Sequence, residues 1–107
     1  FVARGEGELT MLELVEGAAE SGVLGLSYRA GDGATVHNPD RPFIRDLDSL
    51  PFPSRNAFLH SESHDVGYVI TGRGCPFACT YCASPSKWKR TVRFRSVENV
   101  IAEMKDV

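Results

Sequence analysis

Apolar and polar positions change period along the chain, and each change marks an element. Residues 1–4 begin with Phe1 and Val2 and read as the end of a strand running into the turn Gly5-Glu6-Gly7-Glu8. Leu12, Val15 and Ala19 then recur at helical spacing, and Ala18 widens the same face. Thr10 and Glu13 stand in the Ser/Thr-x-x-Glu form, in which hydroxyl and carboxylate each satisfy an orphan amide at a helix start. Gly22 suits a left-handed stop. The pattern therefore predicts a helix over 10–21. Beyond it, the stretches 24–28 and 34–37 flank Gly31-Asp32-Gly33, which predicts a hairpin closed by a glycine turn.

From 38 to 56 the periodicity stops. Pro39, Pro42, Pro51 and Pro53 are interleaved with Asp40, Asp46 and Asp48. Proline fixes φ and removes amide donors, so this stretch reads as an extended connector with Leu47, Leu50 and Phe52 as docking points. Residues 61–65 are polar and read as loop. Residues 66–71 carry Val66, Tyr68, Val69 and Ile70, the content of a buried strand, and run directly into Gly72-Arg73-Gly74. Further on, Ser96 is placed as an N-cap with Glu98 in the first turn, where the helix dipole favours it. Val97, Val100, Ile101 and Met104 follow at i, i+3, i+4 and i+7, an amphipathic helix. Strand, long loop and helix in that order form the opening unit of a β/α fold, so the class expected is α/β.

Composition changes this picture little. Of 107 residues, 42% are hydrophobic and 24% charged, an ordinary globular balance that argues against disorder. No apolar run reaches the ~18 residues needed to span a bilayer. Residues 1–20 carry Glu6, Glu8, Glu13, Glu16 and Glu20 with no apolar core, so no secretory signal is read there. The chain opens on Phe1 and stops at Val107 inside the last predicted helix, and the expectation is a piece of a longer protein.

Charge distribution is more informative than its sum. The net charge is −2, but residues 1–71 hold five Arg and no Lys against eleven acids, whereas residues 72–107 hold seven Lys and Arg against three acids. All three cysteines, Cys75, Cys79 and Cys82, lie in the basic part as C-x3-C-x2-C. An odd number at tight spacing disfavours a secreted disulfide framework and favours a reducing, cytoplasmic setting, where such a cluster binds metal. Soft thiolates on one short loop select zinc or an iron–sulfur cluster. Structural zinc wants a fourth ligand, for which the candidates are His64 and His60, across the predicted strand. A four-iron cluster on three thiolates instead leaves one iron open to a further ligand. Gly72 and Gly74 would relieve crowding where the backbone closes around such a group.

C-x3-C-x2-C directly after a strand resembles the signature of the radical S-adenosylmethionine (SAM) superfamily. The resemblance implies that Cys75, Cys79 and Cys82 hold a 4Fe-4S cluster whose fourth iron is chelated by SAM. It implies reductive cleavage of SAM to methionine and a 5′-deoxyadenosyl radical that abstracts a substrate hydrogen. It also places Tyr81, just before the third Cys, beside SAM as a cofactor-binding residue. No residue is singled out as catalytic in its own right. The surrounding Thr71-Gly72-Arg73-Gly74-Cys75-Pro76-Phe77, Cys82-Ala83-Ser84-Pro85 and 93–100 are similar to the subgroup with an N-terminal cobalamin-binding domain. So are residues 5–8 and 46–53. No Asp-x-His-x-x-Gly sequence is present, so the cobalamin implied by this resemblance would be held by sequence outside the chain.

This resemblance divides the chain into residues 1–30, the end of a Rossmann-like α/β domain, 31–65, hairpin and proline-rich linker, and 66–107, the first β/α unit of a partial radical SAM barrel. Active sites of β/α barrels lie at the carboxyl ends of strands, where the cysteine loop falls. Partners implied are a small-molecule substrate of unknown structure and an electron donor such as flavodoxin or ferredoxin. In the basic run Lys87, Lys89, Arg90, Arg93 and Arg95, the last two are candidates to face an anionic carboxylate, while Lys87 and Lys89 read as a solvated turn. Nucleic-acid binding through this run is not expected on a net-acidic chain. Gly5-Glu6-Gly7-Glu8 lacks the glycine spacing and Lys of a phosphate loop. His37, His60 and His64 read as surface or structural residues, and Trp88 and Phe94 as packing residues. Two other readings stand beside the first. One is a radical SAM methylthiotransferase, which would need a second cysteine set that residues 1–74 lack. The other is a non-catalytic zinc or iron–sulfur binding module.

Overall fold

The computed structural model describes residues 1–54 and 68–106, which separate into two compact units, Phe1–Ile44 and Arg45–Val107. Among the described residues it is a small mixed α/β structure with three α-helices and two small sheets. None of these helices is long and apolar enough to cross a membrane.

In the first unit, β1 (Val2–Ala3), β2 (Leu26–Arg29) and β3 (Thr35–His37) form an antiparallel sheet in that order. Val2 pairs with Ser27, and Tyr28 with Val36. The expected hairpin is present. Its turn is closed by the Gly33 amide donating to the Ala30 carbonyl at 2.9 Å, with Gly33 at φ +86° and the Asp32 carboxylate accepting from the Ala34 amide. Val23 and Leu26 are the buried apolar centre.

The first helix differs from the expected 10–21. Helix α1 runs Glu8–Val15 from a Gly7 N-cap with no side-chain capping bond. Both partners of the expected capping pair are engaged elsewhere. The Thr10 hydroxyl donates to the Leu24 carbonyl at 2.9 Å, and Glu13 is ion-paired with Arg41. The chain leaves the helix through Gly17 at φ +89°, five residues before Gly22, which lies in the short 3-10 turn Glu20–Gly22. The buried side of α1 is thus Thr10, while Leu12 and Val15 are exposed.

Polar contacts close the unit. The Asn38 amide donates to the carbonyls of Glu20 and Val23 at 2.7 and 2.8 Å. The buried Glu6 carboxylate accepts from the Ile44 amide at 2.8 Å. Arg4 donates to Ser27 and pairs with Asp40. Arg4, Glu6 and Asn38 therefore tie the strand end and the proline-rich stretch together by hydrogen bonds that a hydrophobic pattern does not reveal.

In the second unit, a 3-10 turn at Leu47–Ser49 precedes β4 (Gly72–Gly74), α2 (Ser84–Trp88), β5 (Val92–Phe94) and α3 (Val97–Asp106). Leu47 is buried, and Leu50 and Phe52 are half-buried. The strand expected at 66–71 is displaced. Residues 68–71 are not strand, and the ladder begins at Gly72; Val66, Gly67 and the loop expected at 61–65 lie outside the described residues. β4 pairs antiparallel with β5, Gly72 opposite Phe94 and Gly74 opposite Val92. Neither β5 nor α2 was expected.

Ser96 caps α3 as expected, its hydroxyl accepting from the Asn99 amide at 3.1 Å. The Ser96 amide itself donates to the Asp48 carboxylate at 3.0 Å. Arg95 joins several parts of the unit. Its amide donates to the Thr71 carbonyl, its guanidinium to the carbonyl of Ile70 and the side chain of Asn99, and it is ion-paired with buried Glu103. Phe52 lies under the guanidinium, 5.6 Å from ring centre to carbon.

Candidate metal centre

The cysteines occupy the connection between β4 and β5, and the stem of that connection is unusually close. Gly74 has φ +103°, and a Cβ built there would fall 1.8 Å from the Thr91 carbonyl oxygen. At Gly72 a Cβ would come 2.8 Å from the Arg93 carbonyl oxygen. The two glycines are crowded by the facing chain at Thr91–Phe94, a different cause from the closure around a bound group expected from sequence. Only residues without side chains at positions 72 and 74 let the two ends of the loop meet at this distance.

Cys75 emerges from that stem half-buried, while Cys79 and Cys82 are exposed; all three are free thiols. The Cys82 amide donates to the Cys79 carbonyl at 3.1 Å, so the chain folds back on itself between the second and third cysteines. The Cys82 sulfur accepts from the Ser84 amide at 3.4 Å. Hydrogen bonding from the Ser84 side chain first, and from its amide second, holds the Cys82 thiol below the usual cysteine range. Both favour the thiolate, the form that ligates metal. An amide donated to a cysteine sulfur is also the contact by which proteins tune iron–sulfur clusters.

The loop is not closed around a point. Among the described residues no three His, Cys, Asp or Glu side chains are gathered closely enough to hold a metal ion together. The donors nevertheless suit a thiolate-bound cluster: three soft ligands on one loop, with one sulfur already receiving an amide. Tyr81, expected beside SAM, stands on the same loop and is 91% exposed. His37 hydrogen-bonds Ser27 in the first sheet, and His60 and His64 lie outside the described residues.

Helix α2 begins two residues after Cys82, with Pro85 in its first turn, where its missing amide costs nothing. It ends at Lys89 and Arg90, both at left-handed φ of 48° and 59°. The ammonium of Lys87 and the guanidinium of Arg93 lie 4.9 and 5.6 Å from the Trp88 ring centre. Trp88 is half-buried, as a packing residue should be, whereas Phe94 is 75% exposed. Arg90 reaches the Pro76 carbonyl at 3.4 Å.

Arg95 is not the anion-facing residue expected from its position. It is consumed by Glu103 and Asn99, and its role is to tie α3 to the strand that leads into the loop. Ser84, Glu103 and Asp48 were not singled out from sequence. Ser84 could have been, because a hydroxyl two residues past a metal-binding cysteine is well placed to donate to its sulfur.

No protein-family model matches the chain. An uncharacterized methyltransferase of Pyrococcus horikoshii is 40% identical over 111 residues, covering 96% of this chain and 24% of the relative. A Methanocaldococcus jannaschii protein named as a methylthiotransferase is 36% identical, covering 94% and 21%. An anaerobic magnesium-protoporphyrin IX monomethyl ester cyclase of Rubrivivax gelatinosus is 34% identical, covering 96% and 20%. The similarity runs through nearly all of this chain, and the chain spans about a quarter or less of each of these enzymes' length.

Proposed function

We propose that the chain is part of a radical SAM enzyme, of the type linked to a cobalamin domain. The observation that carries the reading is the cysteine loop itself: C-x3-C-x2-C leaving the strand Gly72-Arg73-Gly74, with the third sulfur hydrogen-bonded by Ser84. The names of the relatives, two methyl- or methylthio-transferases and an anaerobic cyclase, support it. When bound, a 4Fe-4S cluster would supply the electron that cleaves SAM to methionine and a 5′-deoxyadenosyl radical.

In this reading Cys75, Cys79 and Cys82 hold the cluster, the Ser84 amide donates to one sulfur, and Tyr81 packs against SAM. Residues 1–30 end an α/β domain, 31–65 are hairpin and linker, and 66–107 open a partial barrel. Cobalamin is held by sequence outside the chain, the substrate is a small molecule, the setting is cytoplasmic, and the electron comes from a flavodoxin or ferredoxin. The methylthiotransferase alternative is favoured by the name of the Methanocaldococcus jannaschii relative. It requires a second set of cysteines in the full-length protein.

The full-length protein, reconstituted anaerobically and reduced with dithionite, is expected to cleave SAM to 5′-deoxyadenosine. Cys79→Ala is expected to lower that rate at least about a thousandfold, because two thiolates do not retain the cluster. Undiminished cleavage in Cys79→Ala would overturn the proposal.

A further inference from the structure

Ser84 meets the third cysteine twice. Its amide donates to the Cys82 sulfur at 3.4 Å, and its side chain hydrogen-bonds the same atom. The local fold accounts for this placement. The Cys82 amide donates to the Cys79 carbonyl at 3.1 Å, which turns the chain back, and helix α2 starts two residues later at Ser84. The first amides of a helix have no acceptor within it. The Ser84 amide is therefore spare to the helix and is spent on the sulfur. Pro85 follows and brings no amide hydrogen of its own.

The next hydroxyl on the helix is used differently. Ser86 donates to the Ala83 carbonyl at 2.8 Å, and the same carbonyl accepts the Lys87 amide at 3.1 Å. Ser86 thus serves the start of the helix, whereas half-buried Ser84 serves the cysteine. Two serines on one short helix therefore separate a local role from one directed at the metal centre.

A hydrogen bond to a thiolate sulfur favours the state that places more negative charge on that sulfur. One-electron reduction of a 4Fe-4S cluster from the 2+ to the 1+ state is such a change, and it makes or breaks no bond. Donors at Cys82 therefore make the electron easier to accept. We infer that Ser84 is a positioning residue that acts through Cys82 to ease reduction of the cluster, its hydroxyl adding to what its amide supplies. The inference rests on the function proposed above. Substitution by alanine removes the hydroxyl and keeps the amide, so the side chain can be tested by itself.

The test titrates the anaerobically reconstituted full-length protein, free of SAM, with dithionite as the electron source and reads the reduced cluster by electron paramagnetic resonance. Ser84→Ala is expected to shift the reduction equilibrium about tenfold toward the oxidised cluster. For one electron that is a midpoint about 59 mV more negative. Iron content of this variant should match the original. Ser84→Thr keeps a hydroxyl and should titrate as the original does, and so should Ser86→Ala. Equal midpoints for Ser84→Ala and the original would overturn the inference, as would the full shift in Ser84→Thr. Iron lost from Ser84→Ala would also overturn it, because the residue would then support the loop rather than set the potential. No iron bound by the original protein would instead overturn the functional reading, and this inference with it.

Discussion

Gly74→Ala is expected to unseat the cysteine loop more severely than any other single change in its stem. Two independent costs coincide at this position. The backbone sits at φ +103°, where an L side chain is strained, and the new Cβ would meet the Thr91 carbonyl oxygen at 1.8 Å. A clash with a flexible side chain can be relieved by a rotamer change, but a clash with backbone cannot. Either β4 and β5 separate or the strand end twists away, and both move Cys75. The combined loss should be about 4 kcal/mol or more, the exceptional end of single-site effects. That is a large share of the 5–15 kcal/mol of a typical domain. Urea unfolding of the full-length protein should show a lower midpoint, and iron retention should fall in parallel. Gly72→Ala is the internal comparison. Its Cβ meets the Arg93 carbonyl and the Phe94 ring at 2.8 Å, with no positive φ, and Phe94 can swing into solvent. It should cost roughly 1–3 kcal/mol. Equal midpoints for Gly74→Ala and the original protein would show that the stem is not as close as described.

Arg95→Met is expected to cost about 3–5 kcal/mol, because it breaks a buried ion pair from one side. Glu103 is 1% exposed and sits on the inner side of α3, and Arg95 connects it to Asn99 and to the carbonyl of Ile70. The direction of the double change separates two ideas. If the pair matters chiefly as a buried charge needing its counter-charge, Arg95→Met/Glu103→Met should recover most of the loss. If Arg95 matters chiefly as the tie between α3 and the lead into β4, the double variant should stay destabilised, because the bond to Ile70 is still missing. A calorimetric double-mutant cycle reads the coupling directly. The geometry favours a mixed outcome, with recovery of more than half. No measurable effect of Arg95→Met would contradict the buried pair altogether.

What could be read from sequence was mainly what is local. The hairpin around Gly31-Asp32-Gly33 is written in the turn residues, and the N-cap of α3 in Ser96, because both signals act within four residues of chain. The cysteine spacing is likewise a local signal and carries its chemistry wherever it folds. The first helix was misplaced because tertiary contacts to Leu24 and Arg41 took the Thr10 and Glu13 groups from the capping arrangement. β4 was missed because its strand is made of glycine, arginine and glycine, which have little strand propensity, and its pairing with β5 is a matter of close approach. Glu103 was unreadable for a related reason. A glutamate in a helical repeat reads as solvent-facing, and the counter-charge that Arg95, eight residues earlier, brings to it is a tertiary contact.

Both helices at issue turn polar groups inward and apolar ones outward. Thr10 and Glu103 are the buried residues of α1 and α3, while Val15 and Met104 are exposed. The periodicity of apolar residues therefore signalled that two helices are present, but misplaced the ends of the first and the buried sides of both.

We propose that Cys75, Cys79 and Cys82 hold a 4Fe-4S cluster, and metal analysis of the anaerobically reconstituted full-length protein tests this most directly. A radical SAM loop predicts about four iron and four sulfide per chain at this site, with a broad visible absorbance. The Cys75→Ala, Cys79→Ala and Cys82→Ala variants should each lose them. Stoichiometric zinc, no visible-region absorbance and no iron lost on removing the three cysteines would contradict the account and make the loop a structural zinc module.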